Sequence, residues 1–195
     1  MMTKDIDGLF IEEFSHSLIM KGHRDSTIAK YEWLIKRVIK FAYKQKLVSE
    51  NTVEDFVVET AKEEKPVSLE LDELKLIDDL RASGKLNEYL TRTADIYRFC
   101  CETSLSYCDY IKLDDTMLKI TESGTTWIFC ERGKTKEQCR IPLSEKALEL
   151  MREYGSLKAM PKVSNYRLNV GIKKIAAMLG IKKKLTFHTS RKTMI

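Results

Sequence analysis

Residues 185–195 read LTFHTSRKTMI and place a histidine, His188, three positions before an arginine, Arg191. Residues three apart lie on one face of a helix. An imidazole and a planar guanidinium on one face can donate hydrogen bonds to the same phosphate. Such a pair in a basic protein is more often a solvated helix face than a catalytic element. Its meaning therefore depends on the segments that precede it.

The charge of the chain is concentrated in two basic blocks. Residues 21–46 hold eight Lys or Arg against two acids, and residues 156–195 hold ten and no acid. Residues 51–75, between them, hold eight acids against three lysines. Two basic blocks on either side of an acidic segment favour a protein that grips a polyanion from two sides. The alternative is that each lysine run is only solvated surface.

The composition is that of an ordinary soluble globular protein. With 195 residues, 43% hydrophobic and 32% charged, the chain can form one medium domain or two small ones. It has no run of about 18 apolar residues and no signal-peptide pattern, so we expect a cytoplasmic protein without a membrane span. The five cysteines lack a Cys-x-x-Cys pair and the three histidines are scattered, which predicts reduced thiols and no metal site.

Two amphipathic helices are predicted in the first part of the chain, one over residues 5–20 and one that begins near Asp25. The second has an apolar stripe that should pack into a small bundle, and its opposite face is basic and suits a phosphate backbone. We expect Trp33 and Tyr43 to be buried in the bundle, the alternative being contact with sugar or base. The stripe is Ile28, Tyr31, Ile35, Val38, Ile39 and Ala42, and the basic face is Lys30, Arg37, Lys40 and Lys44.

The second part of the chain is predicted to be mixed. A Glu/Lys-rich linker places the boundary near residue 65, between domains 1–65 and 66–195. Helices are predicted over residues 69–80, with Ser68 as the cap, and over 86–102, 106–110, 144–155 and 164–179. Short runs at 117–121, 125–130 and 138–142, separated by turns, predict a three-stranded antiparallel meander. The predicted fold class is therefore mainly α with a small antiparallel sheet (α+β).

Three segments of the second domain resemble the tyrosine recombinases, or phage integrases, in particular those of mobile elements of Bacteroides-like bacteria. Residues 99–109, FCCETSLSYCD, resemble the first catalytic box, and residues 133–143, GKTKEQCRIPL, the β-hairpin lysine motif. Residues 185–191, LTFHTSR, resemble the His-x-x-Arg box, and the order and spacing of the three agree with the family. The resemblance implies that residues 1–65 are part of a helical, SAM-like core-binding domain. It implies that residues 66–195 are a catalytic domain without its C-terminal segment.

The resemblance also implies a reaction, DNA integration or recombination. In the family a tyrosine hydroxyl attacks a DNA phosphodiester and forms a 3′-phosphotyrosyl bond, without a metal, ATP or another cofactor. Lys134 is implied as the general acid for the departing 5′-oxygen, and Arg191 as a bidentate phosphate clamp. His188 is implied to bind the phosphate and assist proton transfer, and Asp109 to orient its neighbours. The implied partner is double-stranded DNA at the nucleoid, with a homo-oligomer on that DNA as a further expectation.

The first departure from the family is a missing arginine. Ser106 stands where the family's first catalytic arginine is usual, and Ser104 where a glycine precedes it. A hydroxyl cannot replace a cation in stabilising a charged transition state. Forms from Bacteroides-like elements often lack this arginine too. We hypothesise that Arg132 replaces it, because a strand continuing through the turn would point Arg132 and Lys134 the same way. Arg98 is a second candidate.

The second departure concerns the nucleophile. A Gly-His-like box and the tyrosine should follow the His-x-x-Arg box by some tens of residues, and none of the eight tyrosines matches that position. We therefore expect a chain truncated at both ends that binds DNA and is inactive alone. The alternatives are a non-catalytic DNA-binding remnant or regulatory fragment, and a helical protein whose lysines are only solvated. The expected DNA contacts are Lys30, Arg37, Lys40, Lys44, Lys182, Lys183 and Lys184.

Overall fold

The chain folds as two compact units, residues 1–64 and residues 65–195. The computed structural model describes residues 6–59 and 65–193. Each unit has a hydrophobic core of its own. Across the described residues, no helix is both long enough and apolar enough to cross a membrane.

The first helix of the N-terminal unit, α1, spans Gly8–Met20. Asp7 caps it, because its Oδ1 accepts the amide hydrogen of Phe10 at 2.9 Å and satisfies a donor left free at the helix start. The helix ends before Gly22, which has a φ of +75°, a conformation that glycine adopts at no steric cost. The predicted end at residue 20 is confirmed, whereas the predicted start at Asp5 lies outside the described residues.

The second helix, α2, spans Asp25–Lys44 and begins where the sequence predicted. It packs against α1 through a small core in which Ile11, Ile39 and Val53 are buried. The ammonium group of Lys36 donates a hydrogen bond to the carbonyl oxygen of Phe56. This bond ties the segment that follows α2 back onto the helix.

The predicted burial along α2 is wrong in part. Ile28 and Ile39 are buried, but Trp33 and Tyr43, which we expected in the core, are 61% and 46% exposed. Within the described residues of this unit, the buried cluster is formed by α1, α2 and the segment from residue 51 to 56, so that only a narrow stripe of α2 is covered. The exposed members of the predicted stripe are Tyr31 and Val38.

The C-terminal unit contains the remaining helices. Their starts follow local capping chemistry, because a side-chain oxygen accepts an amide hydrogen three residues further on at Asn87, Ser106, Ser144 and Ser164. The predicted cap at Ser68 is wrong: the helix starts after Glu70, whose amide hydrogen is accepted by Glu73 at 2.8 Å. The helices are α3 Leu71–Ala82, α4 Glu88–Thr103, α5 Tyr107–Tyr110, α6 Glu145–Glu153, α7 Asn165–Met178 and α8 Phe187–Ser190.

Three strands form the predicted antiparallel meander. They are β1 Leu118–Ile120, β2 Thr126–Glu131 and β3 Gln138–Pro142, in the order β1-β2-β3. In β2, Ile128 and Cys130 point to the core while their neighbours are more exposed, as alternation along a strand requires. The mainly α fold with one small antiparallel sheet is confirmed. Residues 132–137 form the turn between β2 and β3.

Helix α4 is the central element of the C-terminal unit. Ile96, Tyr97 and Phe99 on this helix are fully buried, and α3, α6, α7 and α8 all pack against it. Its contact with α7 depends on Gly171, because a Cβ at this position would lie 2.8 Å from the side chain of Thr93. The helices therefore approach more closely than any larger residue would allow.

Gly171→Ala should lower the free energy of unfolding by about 1–2 kcal/mol. The steric overlap of the new methyl group with Thr93 destabilises the fold more than the higher helix propensity of alanine stabilises it. Urea unfolding followed by circular dichroism measures the change. Thr93→Ala removes the nearest atoms that the methyl group meets and leaves the Tyr89 hydroxyl at 3.0 Å, so the double variant should lose less than the two single losses added together. Strictly additive losses would show that the two positions are not in contact.

Candidate active site

His188 and Arg191 lie on one helical turn. His188 is an exposed residue of α8, and Arg191 follows the helix with φ −67° and ψ −24°, which are helical angles. Thr186 begins the turn, and its amide hydrogen is accepted by the hydroxyl of Thr189 at 3.3 Å. The two candidate phosphate ligands are therefore arranged along the turn as their spacing predicted.

Hydrogen bonds to α4 and α7 fix the position of this turn. The Thr189 hydroxyl donates to the carbonyl oxygen of Thr186 at 2.6 Å, and it lies 2.7 Å from the hydroxyl of Tyr97. Burial raises the pKa of Tyr97. Because the single hydroxyl hydrogen of Thr189 is donated to Thr186, the Tyr97 hydroxyl is the donor to Thr189. The amide hydrogen of Phe187 is accepted by Asn169 Oδ1 at 2.9 Å. The turn is thus held by groups on both neighbouring helices.

Ser104 connects the end of α4 to this turn. It has φ +51° and ψ +25°, in the left-handed region, and its hydroxyl donates to the carbonyl oxygen of Arg191 at 3.3 Å. A glycine takes this conformation with less strain. That preference gives a physical reason for the glycine that the resembling family has at this position. The serine provides instead a direct link to the backbone of Arg191.

Asp109 joins the first segment to the turn between β2 and β3. Its Oδ2 accepts a hydrogen bond from the hydroxyl of Ser106 at 2.6 Å, and its Oδ1 accepts the amide hydrogen of Gly133 at 2.9 Å. The side chain is buried, and a buried carboxylate needs such donors. Ser106 therefore helps to hold the Asp109 carboxylate in position.

The charge on Asp109 is stabilised by its surroundings. Burial opposes ionisation, but the hydrogen bonds from Ser106 and Gly133, together with the charges of Arg132 and Arg191, lower the pKa of the carboxyl group below its usual value. Two guanidinium groups from different sequence segments thus act on one carboxylate. Of the predicted site residues, Arg132 and Arg191 thus affect the ionisation of Asp109, whose direct hydrogen bonds are with Ser106 and Gly133.

Arg132 is held at the end of the hairpin by a contact with β3. It is partly exposed, and its Nε donates to the sulfur of Cys139 at 2.9 Å. This contact ties the partly exposed side chain to β3. The position is compatible with a role as the second phosphate-binding cation.

The reason we gave for pairing Arg132 with Lys134 is wrong. Strand β2 ends at Glu131, so strand alternation does not extend to either residue. The turn is closed by backbone hydrogen bonds, from Arg132 to the carbonyl oxygen of Glu137 at 2.8 Å and from Lys136 to that of Arg132 at 2.9 Å. Lys134 lies exposed in this turn, and its role as general acid stays a prediction.

Arg98, the second candidate for the missing cation, is engaged elsewhere. Its Nε lies 3.1 Å from a carboxylate oxygen of Asp78, and its other end pairs with Glu102. The arginine is nearly buried between α3 and α4. A guanidinium group already paired with two carboxylates is not free to bind a phosphate.

Lys112 is a neighbour of the site that the sequence motifs do not predict. A Cβ built on Gly133 would lie 3.4 Å from the Lys112 ammonium nitrogen and 3.4 Å from Asp109 Oδ1. Lys112 is exposed, so its charge adds to the positive potential around the turn. The only sequence signal is its position three residues after Asp109, where a helical turn brings the two side chains to one face.

Most of the lysines and arginines that we predicted to contact DNA are exposed, but one of them forms an ion pair. Lys30, Arg37, Lys40 and Lys44 are exposed on α2, and Lys182 and Lys184 are exposed before α8. Lys183 instead pairs with Glu73 at 2.6 Å. Burial opposes the ionisation of Glu73, yet the hydrogen bond from Lys183 lowers the pKa of that carboxyl group. Lys183 therefore anchors the segment to α3, and its contact with DNA stays a prediction.

Five of the six tyrosines of the C-terminal unit have structural contacts, and the sixth, Tyr166, is exposed. The Tyr97 hydroxyl bonds to Thr189, and the Tyr110 hydroxyl donates to the carbonyl oxygen of Pro161 at 2.8 Å. The ring of Tyr107 packs edge to face on Phe187, with ring centres 5.8 Å apart. Burial raises the pKa of Tyr110, which makes its hydroxyl a poor nucleophile.

Solved structures resemble this chain, although no protein-family model and no curated protein matches it. The XerH site-specific recombinase bound to a palindromic difH substrate matches with a TM-score of 0.75 and 15% identity, over 97% of this chain and 60% of that one. The Tn1549 transposon integrase in complex with circular intermediate DNA matches with a TM-score of 0.72 and 15% identity, over 96% and 71%. A lambda integrase dimer bound to a COC′ core site matches with a TM-score of 0.66 and 16% identity, over 96% and 55%.

These likenesses show the fold of the chain. It is the fold of the tyrosine site-specific recombinases and integrases, which the three sequence segments predicted. The chain spans about 60% of the length of the XerH chain. In residues 6–59 and 65–193, no group of three or more His, Cys, Asp or Glu side chains is placed to hold a metal ion.

Asp109→Asn should lower the free energy of unfolding at pH 7 by about 1–3 kcal/mol, because an amide cannot accept from Ser106 in the same way and carries no charge for the arginines. The folded pKa of Asp109 lies below the unfolded value of about 3.9, so this stabilisation is complete above that pH and disappears as the pH falls through the folded pKa. Urea unfolding of both proteins between pH 7 and pH 3 measures the difference.

The difference between the two proteins should therefore shrink as the pH falls. Asp79→Asn, at an exposed position of α3, serves as the control and should change stability little at any pH. A difference that stayed constant between pH 7 and pH 3 would show that the charge on Asp109 does not stabilise the fold.

Proposed function

We propose that this chain holds duplex DNA and binds one phosphodiester between the His188–Arg191 turn and the turn after β2. The parent activity is DNA recombination or integration by phosphotyrosyl transesterification. The observation that carries the proposal is the Asp109 carboxylate, which bonds to Gly133 and is within electrostatic reach of Arg132 and Arg191. Asp109 belongs to the first of the three segments that resemble the family, is hydrogen-bonded to the second, and has its pKa lowered by the charge of Arg191 in the third. The shared fold with recombinases bound to DNA adds support.

Each cation has a distinct task in this proposal. Arg191 binds two non-bridging oxygens of the phosphate through its planar fork, and His188 on the same turn donates a further hydrogen bond. Lys134, exposed in the hairpin turn, protonates the departing 5′-oxygen. Positive charges fixed before the reaction stabilise the negative charge that develops on the phosphate in the transition state.

Arg132 supplies the charge that Ser106 lacks. Ser106 is used to hold Asp109, and Arg98 is paired with Asp78 and Glu102, so neither is available for a phosphate. Arg132 is partly exposed and acts on the same carboxylate as Arg191. Both arginines lower the pKa of the Asp109 carboxyl group, which supports their acting together on one phosphate.

The attacking tyrosine would be supplied from outside these 195 residues. None of the eight tyrosines follows Arg191 in the sequence. Tyr97 and Tyr110 are buried with their hydroxyls in hydrogen bonds. The chain alone would then bind its phosphate without cleaving DNA. This supports a second candidate function, a DNA-binding protein without catalysis.

The basic face of α2 supplies the DNA-binding surface of the N-terminal unit. Its side chains are exposed and recur every three to seven residues along the helix, so they can follow a phosphate backbone. Lys182 and Lys184 supply further charge in the C-terminal unit. Structural neighbours include a lambda integrase dimer and a lambda integrase tetramer on a Holliday junction, and we propose that this chain also assembles on DNA as a homo-oligomer.

Binding to a fully paired duplex should weaken steeply with salt, and neutralising α2 should reduce that dependence. Removing one cation that binds a phosphate lowers the slope of log K against log salt by about 1, so the variant K30Q/R37Q/K40Q/K44Q should lower it by about 3–4. Fluorescence anisotropy over a range of salt concentrations measures the slope. Lys75→Gln, at an exposed position of α3, is the charge control, and an equal effect from both would argue against a specific surface on α2.

Arg132→Ala should reduce DNA cleavage by about 10²–10³ in a longer version of the protein that includes the tyrosine, because the phosphate then has one fewer cation to stabilise its developing charge. Arg132→Lys should retain part of the rate. Single-turnover cleavage of a labelled duplex measures it. Arg140→Ala, at an exposed position of β3 in the same hairpin, is the control. Undiminished cleavage by Arg132→Ala would refute the replacement.

A nicked suicide substrate separates the two candidate functions. In such a substrate the leaving strand diffuses away, so any phosphotyrosyl bond accumulates as a covalent protein–DNA adduct. The 195-residue chain should form none. An adduct formed by this chain alone would mean that one of its eight tyrosines is the nucleophile, and tryptic mapping would identify it.

A further inference from the structure

A hollow of about 440 Å³ lies beside α2 in the N-terminal unit. One side is formed by α2, through Trp33, Arg37 and Lys40, and the other by the segment that follows the helix, including Val53 and Phe56. Its size is within the range of about 300–1,000 Å³ typical of small-molecule sites. The hollow combines an aromatic face and apolar walls with three cations, Lys36, Arg37 and Lys40, and one carboxylate, Glu54.

Trp33 is the unusual feature of this hollow. Its side chain is 61% exposed, although tryptophan is highly buried on average. Arg37 and Lys40 follow it by four and seven positions, so all three lie on one face of α2. The tryptophan thus lies within the basic face of α2 that we propose for DNA binding. Most of its side chain is exposed, so it contributes little to the core of the unit.

The walls of the hollow are fixed by the fold. Lys36, which also lines it, donates hydrogen bonds to the carbonyl oxygens of Phe56 and Glu54. These bonds hold the segment after α2 at its distance from the helix. Lys36 is therefore committed to the wall, whereas Arg37 and Lys40 are exposed and available to an anion.

Asn51 provides a polar group at the same place. It lines the hollow, and its Oδ1 is buried without a hydrogen-bond partner in the part of the chain that the structure describes. A buried acceptor without a donor is costly, and the amide can turn about its last torsion to present either end to a ligand. The ring N–H and amino groups of nucleobases are donors that would satisfy the oxygen.

We propose that this hollow binds one unstacked nucleotide of the DNA held on α2. The base would stack on Trp33, its edge would face Asn51, and Arg37 and Lys40 would bind the flanking phosphates. Stacking on an aromatic side chain suits every base, because each has a π-face. The inference rests on the proposed function, since it assumes that α2 faces DNA. The inference predicts that the chain prefers DNA in which a base is already unpaired, because moving such a base out of the stack requires the least free energy.

Trp33 can be observed directly once Trp127, the second of two tryptophans, is changed to phenylalanine. In this background the full chain is titrated with three probes: a paired duplex, the same duplex with one extra unpaired nucleotide, and a deoxynucleoside monophosphate. The bulged duplex should bind on the order of ten-fold more tightly than the paired one and quench the emission of Trp33.

Variants at Trp33 test whether stacking causes the preference. Trp33→Ala should remove most of the preference for the bulged duplex while changing binding to the paired duplex little, and Trp33→Phe should keep much of it. Because Trp33 is largely exposed, both variants should keep the circular dichroism spectrum and the unfolding midpoint. Tyr166→Ala, at an exposed aromatic residue of α7, is the control and should leave the preference unchanged.

The outcomes separate this inference from the proposed function. Equal affinity for paired and bulged duplexes, or a preference that survives Trp33→Ala, overturns the hollow as a nucleotide site and leaves duplex binding intact. Tight binding of the free monophosphate, with no preference between the duplexes, overturns DNA as the source of the nucleotide. Absence of binding to every duplex at low salt overturns both proposals.

Discussion

The carboxylate of Asp109 is the group on which the candidate site depends. The charges of Arg132 and Arg191 both help to lower the pKa of this carboxyl group. Its own burial is possible because Ser106 and the amide of Gly133 donate to it.

Helix α4 sets the geometry around that carboxylate. Its Tyr97 holds the α8 turn through Thr189, and Ser104 at its end bonds to the backbone of Arg191 while turning the chain toward α5. The left-handed conformation of Ser104 therefore serves two segments at once. Close packing against α7 at Gly171 keeps the helix in place. The packing of α4 against its neighbours therefore determines where the backbone of Arg191 lies.

The N-terminal unit shows why an amphipathic pattern gives an incomplete prediction. The spacing of apolar and basic residues correctly predicts that α2 is a helix with a basic face. The spacing does not show how many of the apolar residues are covered by neighbouring segments. Here the core is narrow, and Trp33, Tyr31 and Val38 remain exposed. Exposure of Trp33 among cations turns an expected core residue into a candidate for base stacking.

The sequence by itself determined the features that depend on neighbours along the chain. Helix positions, the alternation of β2 and the order of three motifs follow from local spacing and from short-range hydrogen bonds. Only the tertiary structure decided which cations are free and which are paired. Lys183 pairs with Glu73, 110 positions away, and Arg98 with Asp78 of another helix, whereas Lys112 joins the site by proximity to Gly133. A charge depends on its nearest partners in space, and sequence spacing does not record those partners.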